Sequence, residues 1–286
     1  MTTDTLPPPT ERAQIARDFN YTALEESDFK TRGLRTFLQY RDLGLREATG
    51  GLMRAEHIRL TGKRDAKTGW HCHELDFQFV FVLKGYVKFT TQDGETVTLR
   101  AGDCAHLPGL YRHDEFEFAP DFEVVEITAP ADVITIAGNQ PVAPSSTITP
   151  GRRSEFAASY DGPDAYKVGD GPRRFLAYRD AAATNATGRR VNVNVVRNSK
   201  AGDNSTGWHY HSLACQFIFV LKGWSRVEVE GRGEFTVRAG DSMTIPRGLK
   251  HDVTGFSEDF TVLELNIPAD YDTVACDAPA NTAAQR

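Results

Sequence analysis

The chain has 286 residues, 40% of them hydrophobic and 25% charged, and its 33 basic residues stand against 39 acidic ones for a net charge of −6. That length is ample for two domains of ordinary size, and a balance without any basic block excludes nucleic acid or an anionic membrane surface as the main partner. No apolar stretch forms a signal-peptide core or approaches the roughly 18 residues of a membrane span, so a soluble, cytoplasmic protein is expected.

Residues 1–34 read as a polar arm with the proline run Pro7–Pro9 and a short helix around Glu11 to Arg17. Residues 35–132 form the first domain, where FVFVL, KFTTQ, TVTLR and FEVVEIT are apolar runs of strand length broken by Gly, Asp and Pro. Residues 133–172 are rich in Pro, Ser and Gly and read as a connector. The strand pattern then returns over 173–272, in VNVNVVR, FIFVL, VEVE, FTVR and FTVLELN, and residues 273–286 read as a frayed tail. Short strands at regular spacing with turn signals between them predict an all-β fold of barrels or sandwiches. Cys72, Cys104, Cys215 and Cys276 are scattered without a CxxC pair, so they are expected as free thiols rather than a disulfide framework or thiolate zinc site.

The two domains are copies of one another. GWHCHELDFQFVFVLKG, Gly69 to Gly85, recurs as GWHYHSLACQFIFVLKG, Gly207 to Gly223, 138 positions later. The offset holds without insertion from RTFLQYRD at Arg35 and RRFLAYRD at Arg173 to PAD at Pro130 and Pro268, which makes this one fold used twice. Six of the eight histidines sit at matched positions: His71, His73 and His113, then His209, His211 and His251. His57 and His106 face Val195 and Thr244 instead.

On a strand, residues two apart share a face, so His71 and His73 project together while Cys72 turns away. Gln78 shares a face with Val80 and Val82, and its parity with His73 requires a turn or bulge between them. A carboxamide in so apolar a run costs roughly 1–3 kcal/mol per unsatisfied group, and a metal ion is one partner for its oxygen. His113 follows a strand and turn, which brings a third imidazole to a neighbouring strand. Three imidazoles and an amide, His71, His73, His113 and Gln78 in one copy and His209, His211, His251 and Gln216 in the other, suit a divalent transition metal with positions left open. Gln78 and Gln216 could instead hydrogen-bond to the ligands.

These motifs resemble the cupins, whose first motif carries HxH, then Glu, then Gly six residues on, and whose second carries Gly, PxG and His. The first copy supplies His71, His73, Gly85, Gly102, Pro108 and His113, with Gln78 in place of Glu and Leu110 where glycine is expected. The second supplies His209, His211, Gly223, Gly240, Pro246, Gly248 and His251, again with a glutamine, Gln216, for Glu. The resemblance covers about two thirds of the chain and implies a bicupin, similar to quercetinase-like and bacilysin-pathway bicupins. It implies two tandem jelly-roll barrels with one divalent metal per barrel, Fe(II) first and Ni, Zn, Co, Mn or Cu as alternatives.

The resemblance further implies a small-molecule enzyme, with a dioxygenase cleaving an enolic, diketonic or aromatic substrate as the first expectation. A redox-neutral isomerase, cyclase or lyase is the second, and a non-catalytic binding bicupin the third. An amide in place of Glu leaves a divalent site at +2 and removes a general base, which favours substrates that arrive as anions. Glu126 and Glu264 share parity with inward residues; a buried ion pair with an arginine, such as Arg59 or Arg197, is expected for each. His106 is expected as an ordinary strand histidine, Trp70 and Trp208 as packing residues. The strands FVFVL and FIFVL are apolar on both faces, so the outer face needs cover from a sheet, the other barrel, the arm or a second subunit, and a homodimer is expected.

Overall fold

The computed structural model describes residues 15–25, 28–31, 35–61, 67–141, 154–170, 173–200 and 204–280. They group into two compact units, one comprising described residues of Glu25–Asp161 with Asn185–Gly188, the other those of Pro7–Leu24, Gly162–Thr184 and Arg189–Arg286. The helix expected around Glu11 to Arg17 lies largely outside the described residues, and Ile15 and Ala16 at its edge are buried.

Each unit is a two-sheet jelly-roll barrel, antiparallel throughout. In the first, a seven-stranded sheet runs in the order Ala157–Ser159, Cys104–Leu107, Phe77–Lys84, Glu123–Ala129, Arg54–Leu60, Leu38–Asp42 and Lys30–Thr31. A five-stranded sheet faces it in the order Ile134–Ala137, His71–Glu74, His113–Phe118, Tyr86–Thr91 and Thr96–Arg100. The second unit repeats both sheets strand for strand, with Cys215–Lys222 and Thr261–Ile267 central to one and His251–Phe256 central to the other.

Alternation along the strands builds the interior. Ile58, Val82, Phe89, Leu99, Leu107 and Val124 pack together in the first barrel. Their counterparts 138 positions on, Val196, Val220, Val227, Val237, Ile245 and Val262, do so in the second. Each such side chain contributes roughly 1.5–3 kcal/mol by leaving water. The opposite face is covered as well: Phe77, Phe79 and Phe81 are at most 4% exposed. Between Glu74 and Phe77 the chain passes from the five- to the seven-stranded sheet, with Asp76 N–H donating to Ala129 O at 2.8 Å. This turn is the parity break that the spacing of His73 and Gln78 demands.

Two turn positions explain motif residues. Gly85 has φ 66°, and a Cβ there would come within 2.6 Å of Ala119 Cβ, so the hairpin accepts only glycine. Leu110, standing where glycine was expected, nevertheless adopts φ 61°, close to the φ 75° of its counterpart Gly248. The backbone N–H of each donates to the HxH strand, Leu110 to His73 O at 2.8 Å and Gly248 to His211 O at 3.1 Å.

The segments outside the repeats are built into the barrels. From the arm, Asn20–Thr22 pairs with Ser242–Pro246 of the second unit, while Ala157–Ser159 pairs with Cys104–Leu107 of the first. The tail does not simply fray: Thr273–Ala275 pairs with His209–His211, as Ile134–Ala137 pairs with His71–Glu74. The repeat therefore runs past Pro130 and Pro268 by another strand.

Candidate metal centres

Antiparallel pairing sets His113 directly across from His71 and His251 directly across from His209. With His73 and His211 two residues along, each trio points into its own barrel. Ring centroids are 4.4, 4.9 and 5.6 Å apart in the first and 4.3, 4.9 and 5.2 Å apart in the second. One nitrogen from each ring of a trio lies within 4.8 Å of the others.

The other ring nitrogen is engaged in every case. Nδ1 of His71 donates to Gly69 O at 2.7 Å and that of His113 to Tyr111 O at 2.9 Å; His209 and His251 repeat this with Gly207 O at 2.6 Å and Leu249 O at 3.0 Å. A carbonyl can only accept, so these Nδ1 atoms carry the proton and each Nε2 presents a lone pair to the cavity. His73 and His211 place Nδ1 3.0 Å from the hydroxyls of Thr135 and Thr273. Burial, reinforced by the neighbouring imidazoles, pushes His211 down to about 2, and it takes His251 to about 3. Burial also lowers His71, His73 and His209. Neutral imidazoles with outer hydrogen bonds are what a transition metal requires, and the donor set fits one.

The two glutamines differ. Gln78 turns its amide nitrogen to Glu126 Oε2 at 3.1 Å. Buried Gln216 has an Oε1 without a hydrogen-bond partner among the described residues, an orphan that an ion or substrate donor would satisfy. Glu126 and Glu264 point inward and line the cavities; Glu126 forms the expected ion pair with an arginine, Arg54 rather than Arg59, while Glu264 has none among the described residues. Glu126 lies 3.6 Å from Arg54, and Glu264 accepts from Asn266 at 2.6 Å. Arg59 and Arg197 stack on Phe29 and Tyr166 instead, because Glu126 pairs across from Glu56, and Arg59, three residues on, faces the other side of the sheet. His106 is buried away from the trio, with Nδ1 2.9 Å from Gln78 O and its ring stacked on Phe77. Neither Trp70 nor Trp208 lines the cavities around the trios.

Three groups escaped the sequence reading. Arg35 and Arg173, 138 positions apart inside the matched RTFLQYRD and RRFLAYRD, line the first and second cavities, and Arg35 donates to His71 Nε2 at 3.0 Å. Thr135 and Thr273 keep the same offset but lie beyond the last matched motif, PAD at Pro130 and Pro268. Glu115, whose counterpart is Val253, sets Oε2 3.7 Å from His71 Nε2 and Oε1 3.5 Å from His113 Nε2. Burial alone would raise its carboxyl, while the charge of Arg35 and a hydrogen bond from Thr68 act the other way.

The inner cavities measure about 90 Å³ in the first barrel and about 130 Å³ in the second. A wider cavity of about 440 Å³ adjoins the first, sharing Arg35, His73, Gln78 and Glu126 with it. In the second, Tyr271 stands edge-on to His211 at 5.3 Å, and burial, then the charge of Glu264, raise its phenol well above the ordinary range.

A family model described as "Cupin domain" matches residues 61–116 and 196–265. No curated protein matches the chain in sequence. Among solved structures, a substituted form of oxalate decarboxylase from Bacillus subtilis superposes with a TM-score of 0.62 at 15% identity, over 94% of this chain and 82% of that one. Another solved structure of that enzyme, described by its Mn(II) centres, gives 0.58 at 15% identity, over 94% of this chain and 82% of that one. A variant of salicylate 1,2-dioxygenase from Pseudoaminobacter salicylatoxidans gives 0.59 at 14% identity, over 78% of this chain and 75% of that one. At such identities the likeness is one of fold.

Proposed function

Because the chain is a bicupin, its two cupin domains each closed around three inward imidazoles, we propose that it is a metal-dependent enzyme acting on a small anion that bears a carboxylate or enolate. The observation that carries this reading is the arginine pair, Arg35 and Arg173, each lining a cavity together with its imidazoles. A guanidinium grips a carboxylate through paired hydrogen bonds, most strongly where water is excluded. The inner cavities, about 90 and 130 Å³, suit a small group at the imidazoles, and the cavity of about 440 Å³ beside the first leaves room for the rest of a larger substrate there. The neighbouring structures support the class, being named for oxalate and salicylate, both small carboxylates.

The ion would be held by His71, His73 and His113 in one barrel and by His209, His211 and His251 in the other, supplying Lewis acidity and open positions when bound. The chain does the rest. Arg173 orients the carboxylate, and Leu176, Val196, Ile245 and Val262 line the cavity and exclude water. Tyr271 keeps its proton and offers a hydrogen-bond donor beside His211. The reaction we take first is oxygen-dependent cleavage of a carbon–carbon bond with Fe(II) as the ion. Dioxygen is the oxidant and both its atoms enter the product; the substrate provides the electrons, so no further reductant is needed. A substrate that arrives as an anion needs no general base there.

A second reading, redox-neutral isomerisation, cyclisation or lyase chemistry, is favoured by the matched carboxylates Glu126 and Glu264, one inside each cavity. Four free thiols support a reducing, cytoplasmic setting. A homodimer in solution is proposed with it, and light scattering reads that directly.

The test is oxygen uptake by the Fe(II)-loaded chain with a panel of small carboxylates and enols, with labelled oxygen traced into product. Arg35→Ala or Arg173→Ala, whichever barrel is active, should lower kcat/KM by about 30-fold or more at unchanged metal content. That is the lower end of the roughly 2–5 kcal/mol lost when one partner of a buried charge pair is truncated. Turnover that continues without oxygen selects the redox-neutral reading. Indifference to both arginines overturns the anionic substrate.

A further inference from the structure

His113 and Glu115 are two residues apart on the strand His113–Phe118 and share its inward face. A register shift between Glu115 and Glu117 then turns the strand, and Glu117 pairs outward with Lys88 at 2.8 Å. Glu115 stays inside, lining the first cavity. Its two oxygens lie 3.7 and 3.5 Å from the Nε2 atoms of His71 and His113. The Nδ1 protons of both rings are committed to Gly69 O and Tyr111 O, so those Nε2 atoms present lone pairs. A carboxylate facing two lone pairs is acceptor against acceptor, repulsive unless positive charge lies between them. Arg35 donates to His71 at 3.0 Å and its charge acts on Glu115, and Thr68 serves one carboxylate oxygen from the side, which leaves the approach of Glu115 to His113 at 3.5 Å as the contact an ion would bridge.

The second barrel lacks this group. Val253 takes the place of Glu115 on the cavity wall, and the neutral Gln216 Oε1 is left without a partner. Gln78 in the first barrel has instead turned its amide to Glu126.

We infer that Glu115 is the fourth protein ligand of the first centre, supplying from the His113 strand the carboxylate absent at Gln78, while the second centre is held by neutral ligands alone. The inference rests on the reading that each imidazole trio holds an ion. A divalent ion is then left at +1 in the first barrel and +2 in the second. The first centre is the more oxygen-rich site, suited to harder ions and slower to release them. The second exerts the greater pull on an anionic ligand.

The test titrates Mn(II), followed by its electron paramagnetic resonance signal, into the full-length chain carrying His211→Ala, so that the first site is read alone. Glu115→Gln should raise the Kd for Mn(II) by at least about tenfold, the lower end of what loss of even an outer partner of a ligand costs, and should change the zero-field splitting. Glu115→Ala should do the same, with melting curves confirming that both variants fold. Conversely, Val253→Glu in a His73→Ala chain should tighten Mn(II) at the second site. An unchanged Kd and spectrum in Glu115→Gln and Glu115→Ala, with Mn(II) still bound by the parent, overturns this inference alone. A parent chain that takes up no Mn(II) overturns it together with the metal reading beneath it.

Discussion

Thr273 touches no reacting group, yet its hydroxyl holds Nδ1 of His211 at 3.0 Å and so fixes which nitrogen faces the cavity. Thr273→Val should weaken metal binding at the second site about tenfold or more, and Thr135→Val should do so at the first, as read by competition with a chromogenic chelator. Leu110 makes a second prediction at this scale. Its φ of 61° is costly for a residue with a Cβ, so Leu110→Gly should raise stability by about 1 kcal/mol in denaturant titrations. The histidines were legible because their spacing recurs intact. Glu115 was not, since a carboxylate without a counterpart looks like any strand acid, and Arg35 and Arg173 stood out only as the first residues of the matched repeat. The fates of Glu126 and Glu264 turned on parity across strands, which only the register reveals.

Strands, as elements, were readable from alternation and turn residues. What was not readable was which segment outside the repeats would complete which sheet. The arm strand Asn20–Thr22 closes the edge of the second barrel, where Tyr21 donates to Asp241 Oδ2 at 3.0 Å and Leu24 N–H to Asp241 Oδ1 at 2.8 Å. A chain beginning at Glu25 should therefore lose stability and metal at the His209 set while the His71 set keeps its ion; equal losses at both would contradict this. Within the first barrel, Glu123 accepts from His57 at 2.8 Å and Lys84 at 2.6 Å, tying together three adjacent strands. The His57 hydrogen bond foremost holds its carboxyl at about 2 rather than 4.5. A folded pKa below the unfolded one gives stability that is full above about pH 4.5 and lost as pH falls toward 2. Glu123→Gln should flatten the acid limb over that window, measured by denaturant unfolding at stepped pH.

For the molecule as a whole, duplication gives two barrels of one design, and the differences between them lie where chemistry would be sorted: Glu115 against Val253, Glu56 against Asn194, Val133 against Tyr271. The fold and both imidazole trios follow from an unbroken offset in the sequence. The reaction does not, because it depends on which groups around a common trio face inward. The most direct measurement is elemental analysis of anaerobically purified protein alongside His73→Ala and His211→Ala. The account predicts one transition-metal ion per barrel, with each variant losing the ion of its own barrel and keeping the other. Protein that binds no such ion, or variants that keep both, would contradict it.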